Sequence, residues 1–171
     1  MFRAEVTPKR FLSAIFAKPK SLVASTTDRM KPINKIHTTN YFDTFIEVAD
    51  DCKVSAGRIP EVKNDKKTVA SMQFELLSKN PYKYTSDDVL FQVFAEKNEV
   101  TESDYKSARE HFFSKGQPCF RASPLTKQFG WGVHCDKNGK VALCGMETDK
   151  YKSFVADPTI KKVKAMRTSK K

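Results

Sequence analysis

The residues whose types and spacing best suit a binding site lie between Arg121 and His134. Ser123 stands directly before a proline and is predicted to cap a short helix, whose first N–H groups and positive dipole end would attract an anion. Arg121 and Lys127 would add positive charge, and Trp131 would offer a face for stacking. The competing interpretation is a capped helix that leads into a core hairpin with Trp131 packed inside, since helix starts are common and ligand sites are few.

A second polar cluster, from His37 to Tyr41, comes directly before the first predicted strand. Its candidate ligand-binding residues are His37, Thr38 and Asn40, which would line the same cleft. The alternative is a turn whose hydroxyl groups satisfy neighbouring backbone groups.

The four cysteines, Cys52, Cys119, Cys135 and Cys144, form no CxxC pair. Their spacing argues against a structural zinc site, and with no secretory signal before them they favour reduced thiols in an intracellular compartment. A histidine beside Cys119 or Cys135 would in principle form a nucleophilic pair, but an unpaired cysteine is more often a buried packing residue. No stretch forms a complete catalytic motif, so we predict no catalytic residue, no metal and no cofactor.

The net charge of +11 is concentrated at the two ends of the chain. Residues 1–35 hold eight bases and two acids, residues 36–157 hold seventeen bases and eighteen acids, and residues 158–171 hold six bases and no acid. A nucleic-acid-binding core would usually carry its own basic face, whereas here the charge belongs to the ends. Such ends would bind RNA or an acidic protein surface. The alternative is that they are solvated basic tails without a partner. The candidate partner-binding residues are Lys9, Arg10, Lys18, Lys20, Lys161, Lys162, Lys164, Arg167, Lys170 and Lys171.

Residues 1–35 also show a pattern that suits targeting. On a helix, Phe11, Leu12, Ile15 and Phe16 would share an apolar face while the basic residues lie off it. This pattern suits a mitochondrial transit peptide, although Glu5 is atypical of one. The alternative is a basic tail or a short docking helix on a cytoplasmic protein. No apolar run is long enough to cross a membrane, so we expect no integral membrane insertion.

The elements that would position these residues indicate one α+β domain over residues 36–157, with a basic extension on each side. We expect a small antiparallel sheet covered on one face by four or five helices, and a partly helical basic tail at 158–171. The predicted elements in chain order are a strand at 44–49, helices at 67–79, after Thr85, after Thr101 and after Ser123, a β-hairpin at 131–145, and helices at 147–156 and 159–167.

The hairpin has a register that side-chain alternation fixes. A three-residue loop at 137–139 places Val133 opposite Leu143 and gathers the apolar side chains on one face, whereas a two-residue loop would mix the faces. We therefore expect Trp131, Val133 and Leu143 to be largely buried on one face. His134 should point to the other face.

Four segments carry a resemblance to a known family: IHTTNYFDTFIEVA (36–49), NPYKYTSDDVL (80–90), FSKGQPCFRASPLTK (113–127) and GWGVH (130–134). In these segments the chain resembles an uncharacterised family of bacteria and fungi, a domain of unknown function, from about residue 36 to the carboxyl end. The resemblance implies a domain but no reaction. Residues 1–35 lie outside its pattern.

Together these observations favour a non-enzymatic binding module. It would be an accessory subunit of a larger, RNA-containing assembly, mitochondrial if residues 1–35 direct it there, and would engage an anionic partner through its basic ends. The alternative is a small enzyme or a domain that binds an anionic ligand in a cleft formed by residues 121–134. A deep pocket lined by those side chains would favour the alternative.

Overall fold

A four-stranded sheet organises the part of the chain that the computed structural model describes, residues 36–62 and 67–169. Its strands are β1 (Thr44–Glu47), β2 (Trp131–Cys135), β3 (Val141–Gly145) and β4 (Lys161–Lys164). Their order across the sheet is β3-β2-β1-β4. Because β1 pairs antiparallel with β2 but parallel with β4, the sheet is mixed rather than wholly antiparallel, and the predicted α+β class is confirmed.

The described residues form five α-helices, four of which begin at a capping side chain. They are α1 (Val69–Lys79), α2 (Ser86–Lys97), α3 (Tyr105–Phe113), α4 (Pro124–Gln128) and α5 (Asp149–Ala156). Thr68 and Thr85 each form a capping box with the third residue of the helix that follows, so that two otherwise unpaired N–H groups are satisfied at each start. The start predicted after Thr101 differs. Its side chain bonds the Asp104 carboxylate instead of a backbone N–H, and a 3₁₀ turn (Glu102–Asp104) precedes α3.

The two faces of the sheet pack against different helices. The first face joins α1 and α2 in a core formed by Ile46, Leu77, Val89, Phe120, Val133, Cys135 and Val141. On the second face, the ring of Phe45 lies 5.0 Å from Tyr151 and 5.2 Å from Phe154, both on α5. Helices therefore cover both faces of the sheet, not the single face that the sequence led us to expect.

The predicted hairpin register is confirmed. Val133 pairs with Leu143, and Gly139 takes the left-handed loop position with a φ of 73°. Val133 is fully buried, while Trp131 and Leu143 are half-buried. His134 faces the opposite side of the sheet and packs against α5.

The segment after residue 157 differs most from its prediction. The predicted helix at 159–167 is wrong, because Lys161–Lys164 is the edge strand β4. Helical and strand periods are hard to tell apart in so short a run, and charged lysines suit an edge strand because they discourage further pairing. Val163 packs against the core and Ala165 is buried, so this segment is part of the domain rather than a separate tail.

Some predictions concern residues outside the described part of the chain. These are the amphipathic segment with Lys9, Arg10, Lys18 and Lys20, and the last two residues, Lys170 and Lys171. An irregular segment follows β1 over residues 50–62, and residues 63–66 also lie outside the description. In the described residues, no helix is both long enough and apolar enough to span a bilayer.

Candidate functional site

The confirmed hairpin register separates two residues that the predicted cleft would need together. Trp131 lies on the face covered by α1, with its ring 5.2 Å from that of Phe74. His134 lies on the other face, stacked on Phe154 at 4.1 Å with an angle of 5° between the rings. Because the sheet lies between the two side chains, a single ligand does not reach both.

Ser123 caps α4 as the sequence predicts, and its hydroxyl is used within the fold. The Oγ atom accepts a hydrogen bond from the N–H of Leu125 at 3.2 Å and donates one to Gln73 Oε1 at 2.7 Å. Ser123 is only 5% exposed. The hydroxyl thus connects α4 to α1, which no local sequence pattern could have shown because the two residues are fifty positions apart.

Arg121 holds the chain that leaves β4. Its Nε donates to the carbonyl oxygen of Lys164 at 2.8 Å, and its own carbonyl oxygen accepts from the N–H of Met166 at 2.7 Å. Lys127 lies elsewhere, beside a cavity of about 430 Å³ that it shares with Asp51 and Lys53. The two bases of the predicted site therefore do not converge on one cavity.

The polar run from His37 to Asn40 is held by a buried carboxylate that sequence reasoning missed. Asp87, at the start of α2, accepts hydrogen bonds from the N–H and the hydroxyl of Thr39, from the hydroxyl of Thr38, each at 2.7 Å, and from the amide of Asn40 at 3.1 Å. The side-chain oxygen Oδ1 of Asn40 accepts a hydrogen bond from the N–H of Asp87 in return. The backbone N–H of His37 bonds to the end of α3. These groups are satisfied by the fold, as expected of a structural turn.

His134 pairs with Tyr82. Its Nδ1 lies 3.0 Å from the Tyr82 hydroxyl, and the Lys150 ammonium lies 5.4 Å from the Tyr82 ring. Burial, and then the charge of Lys150, lowers the pKa of His134 below its ordinary value, while burial raises the pKa of Tyr82 to about 12. Tyr82 also has a φ of 57°, a left-handed conformation that is costly for a residue with a side chain. Neither side chain lines the four cavities of about 230, 340, 430 and 490 Å³.

The cysteines do not pair with histidine in the described residues. Cys135 is fully buried and Cys144 nearly so, and burial raises the pKa of the Cys135 thiol to about 12, so it stays protonated. Cys119 is half-buried, with its sulfur 3.6 Å from the Tyr41 hydroxyl. The described residues bring together no His, Cys, Asp and Glu group that could hold a metal ion.

A cavity of about 340 Å³ lies between α1, α2 and α3. Its apolar wall includes Val69, Leu90, Val93, Phe94 and Phe112. Gln73 also lines it, so the hydroxyl of Ser123 reaches this cavity indirectly through its bond to Gln73. Sequence reasoning missed the cavity because its residues come from three separate helices.

The basic residues around β4 are partly paired with acids. Lys164 Nζ lies 2.8 Å from Glu47 and 3.5 Å from Asp50, and Arg167 lies 3.6 Å from Asp50. The hydrogen bond with Glu47 raises the pKa of Lys164. The described residues include nineteen bases and seventeen acids, so the domain itself is close to neutral.

The mixed four-stranded sheet, with α1 and α2 on one face and α5 on the other, defines a small α+β domain in which most polar groups at the predicted site serve the fold. Residues 36–171 match the model of a family of unknown function (DUF6157), and the chain belongs to that family. The resemblance found in the sequence is thereby confirmed, and the matched range includes β4. No curated protein matches the chain, and no solved structure matches it.

Proposed function

We propose that this protein is a non-enzymatic accessory subunit that holds an anionic partner, RNA in particular, through the basic residues of its ends. The location of the charge supports this. The described residues are close to neutral, whereas the rest of the chain, residues 1–35, 63–66 and 170–171, holds twelve bases and three acids. Such a concentration of lysine and arginine suits phosphate contacts, which release counterions from the nucleic acid.

The two ends should contribute unequally. Lys164 and Arg167 already contact Glu47 and Asp50, so binding a phosphate would compete with those ion pairs. Lys162 donates from Nζ to the Asp157 carbonyl oxygen. The bases before residue 36 should therefore provide most of the affinity.

Binding of the full chain to a labelled oligouridine, titrated at several salt concentrations, tests this proposal. The variant that should weaken binding replaces four bases with glutamine: Lys9, Arg10, Lys18 and Lys20. We expect the slope of log affinity against log salt to become shallower by about 0.7 for each phosphate that the variant no longer neutralises. A control variant replaces four exposed lysines of the domain, which form no ion pair with described residues: Lys53, Lys106, Lys115 and Lys137.

The control should keep the affinity and slope of the unmodified chain. Equal losses in both variants, or an unmodified chain that does not bind RNA, would contradict the proposal. Binding to an acidic polypeptide alone would make an acidic protein surface the partner. Deleting residues 158–171 is unsuitable as a test because it removes β4 from the sheet. Replacing Lys161, Lys170 and Lys171 with glutamine is the better probe of that end.

The compartment is part of the same proposal, and the amphipathic pattern of residues 1–29 supports mitochondria. A fluorescent reporter fused after Arg29 should enter mitochondria. The double variant Leu12→Asp, Phe16→Asp should leave it in the cytosol, because it destroys the apolar face. Cytosolic fluorescence from the unmodified fusion would contradict the mitochondrial assignment but not the binding proposal.

A further inference from the structure

We propose that the cavity between α1, α2 and α3 binds a small, mainly apolar molecule that has a carbonyl-type acceptor oxygen within its body and an anionic group at its outer end. This site is independent of the basic ends. Its volume of about 340 Å³ lies in the range of small-ligand sites, and its lining combines an apolar wall with a few polar groups.

The floor of the cavity holds an amide whose hydrogen-bonding capacity is only partly used. Gln73 is 2% exposed, and its Oε1 accepts the Ser123 hydroxyl at 2.7 Å. Its Nε2 donates no hydrogen bond to any of the residues that the structure describes. Because the one fully buried side-chain N or O atom without a partner among the described residues is Asp51 Oδ1, Nε2 keeps some contact with solvent. A ligand oxygen that accepts from Nε2 would take the place of water there.

The mouth of the cavity carries one positive charge. Lys97, in the last turn of α2, is exposed and forms no ion pair with another described residue. The cavity lining contains no carboxylate. The side-chain amides of Asn98 and Gln117 already donate hydrogen bonds to backbone carbonyl oxygens, at 2.7 Å and 2.5 Å. Lys97 is therefore the group that would attract the charged end of a ligand.

The polarity of the cavity fixes the orientation of the ligand. A carboxylate at the floor would meet one neutral amide and lose its hydration, which is unfavourable. At the mouth it would stay hydrated and near Lys97. A neutral carbonyl oxygen suits the floor, because a single N–H donor satisfies it.

A neighbouring groove differs from this cavity because its charged groups are already paired. The groove also lies between α1 and α2, and its charged lining residues are Lys67, Glu75, Lys79 and Glu96. Its lysines and carboxylates pair with one another, at distances from 2.8 to 3.7 Å. No unpaired charge is found there among the described residues, although the amide of Gln92, which also lines the groove, forms no hydrogen bond with them.

Three matched compounds separate the parts of the proposal. The probe is 4-benzoylbenzoate, which has a carbonyl between two rings and a carboxylate at one end. In 4-benzylbenzoate a methylene replaces the carbonyl, and benzophenone lacks the carboxylate. Titration of the full chain should show saturable binding of the probe, about threefold to tenfold weaker binding of the benzyl compound, and about twofold to fivefold weaker binding of benzophenone.

Two variants assign those differences to residues. Gln73→Met keeps the length and apolar packing of the side chain, so it should remove the preference for the benzoyl over the benzyl compound. Lys97→Met should remove the preference for the carboxylate, and Lys106→Met, an exposed lysine on α3 outside the cavity, serves as its matched control. The comparison of ligands in the unmodified chain remains decisive if Gln73→Met folds poorly.

Irradiation of the bound benzophenone group then locates it. Labelling of peptides that contain Leu90 to Phe94 or Phe112 supports the proposal. Absence of saturable binding by the unmodified chain, equal binding of the benzoyl and benzyl compounds, or labelling confined to other peptides would overturn it.

Discussion

Two buried polar side chains, Asp87 and Gln73, differ in how fully their hydrogen bonds are satisfied. Asp87 is 9% exposed and accepts four hydrogen bonds from the segment at 38–40. Gln73 is 2% exposed, and only its carbonyl oxygen is bonded within the described residues. A buried group whose capacity is filled by the chain stabilises the fold, whereas one with capacity left beside a cavity is a candidate for ligand contact.

Replacing Asp87 should have the largest effect on stability. Asp87→Ala would leave the buried N–H of Thr39 without its acceptor and the hydroxyl of Thr39 with Ser86 Oγ alone, at a cost of about 3 kcal/mol in the free energy of unfolding. Urea denaturation measures the loss. Asp87→Asn keeps one acceptor oxygen and should lose less. A loss below about 1 kcal/mol for Asp87→Ala would mean that the segment at 38–40 does not depend on this carboxylate.

Ser123→Ala should have an intermediate effect. It removes the cap of α4 and leaves Gln73 Oε1 without a donor, so we expect a loss of about 1–2 kcal/mol in the same measurement. The freed amide of Gln73 would also turn more easily, which should weaken the preference for the benzoyl compound. An unchanged preference would show that Ser123 does not orient Gln73.

His134 should give a smaller, pH-dependent effect. Its pKa is lower in the folded protein than its ordinary value of about 6.5, so the unfolded chain takes up more protons as the pH falls. Stability should therefore decrease as the pH falls from about 7 through the folded pKa. His134→Gln should flatten this part of the profile. Parallel pH profiles of the two proteins, measured by urea denaturation, would contradict the assignment.

The smallest effect should come from Glu75, in the groove whose charges are already paired. Side-chain hydrogen bonds with Lys67 and Lys79 lower the pKa of Glu75 to about 2, yet all three side chains are exposed to solvent. We expect Glu75→Gln to leave both stability and affinity for 4-benzoylbenzoate within experimental error. A clear loss of ligand affinity would move the binding site to this groove.

Local signals made much of the fold predictable. The capping threonines, the Ser-Pro start of α4 and the alternating hairpin each depend on residues within a few positions of one another. The strand β4 was missed because its identity depends on pairing with β1, more than a hundred positions earlier. The apolar residues at 160 and 163 are three positions apart, a spacing that suits a helix and places the two side chains on opposite faces of a strand.

The candidate site was harder to predict because its contacts also join segments that are far apart in the sequence. Arg121, Ser123 and Trp131 were predicted to line a ligand cleft, but their polar groups bond to Lys164, Gln73 and Arg58 in distant segments. Gln73 itself lies in α1, and no sequence pattern around it indicates a binding site. Only the packing of three helices brings its amide to a cavity.

The amide resonances of Gln73 give the most direct test that its unused donor marks a binding site. In a ¹⁵N-labelled full chain, Gln73→Met identifies the side-chain NH₂ pair by its disappearance. We predict that this pair shifts on titration with 4-benzoylbenzoate and moves much less with 4-benzylbenzoate, while the Gln128 pair is unaffected by both. An unmoved Gln73 pair at saturating 4-benzoylbenzoate would contradict the account.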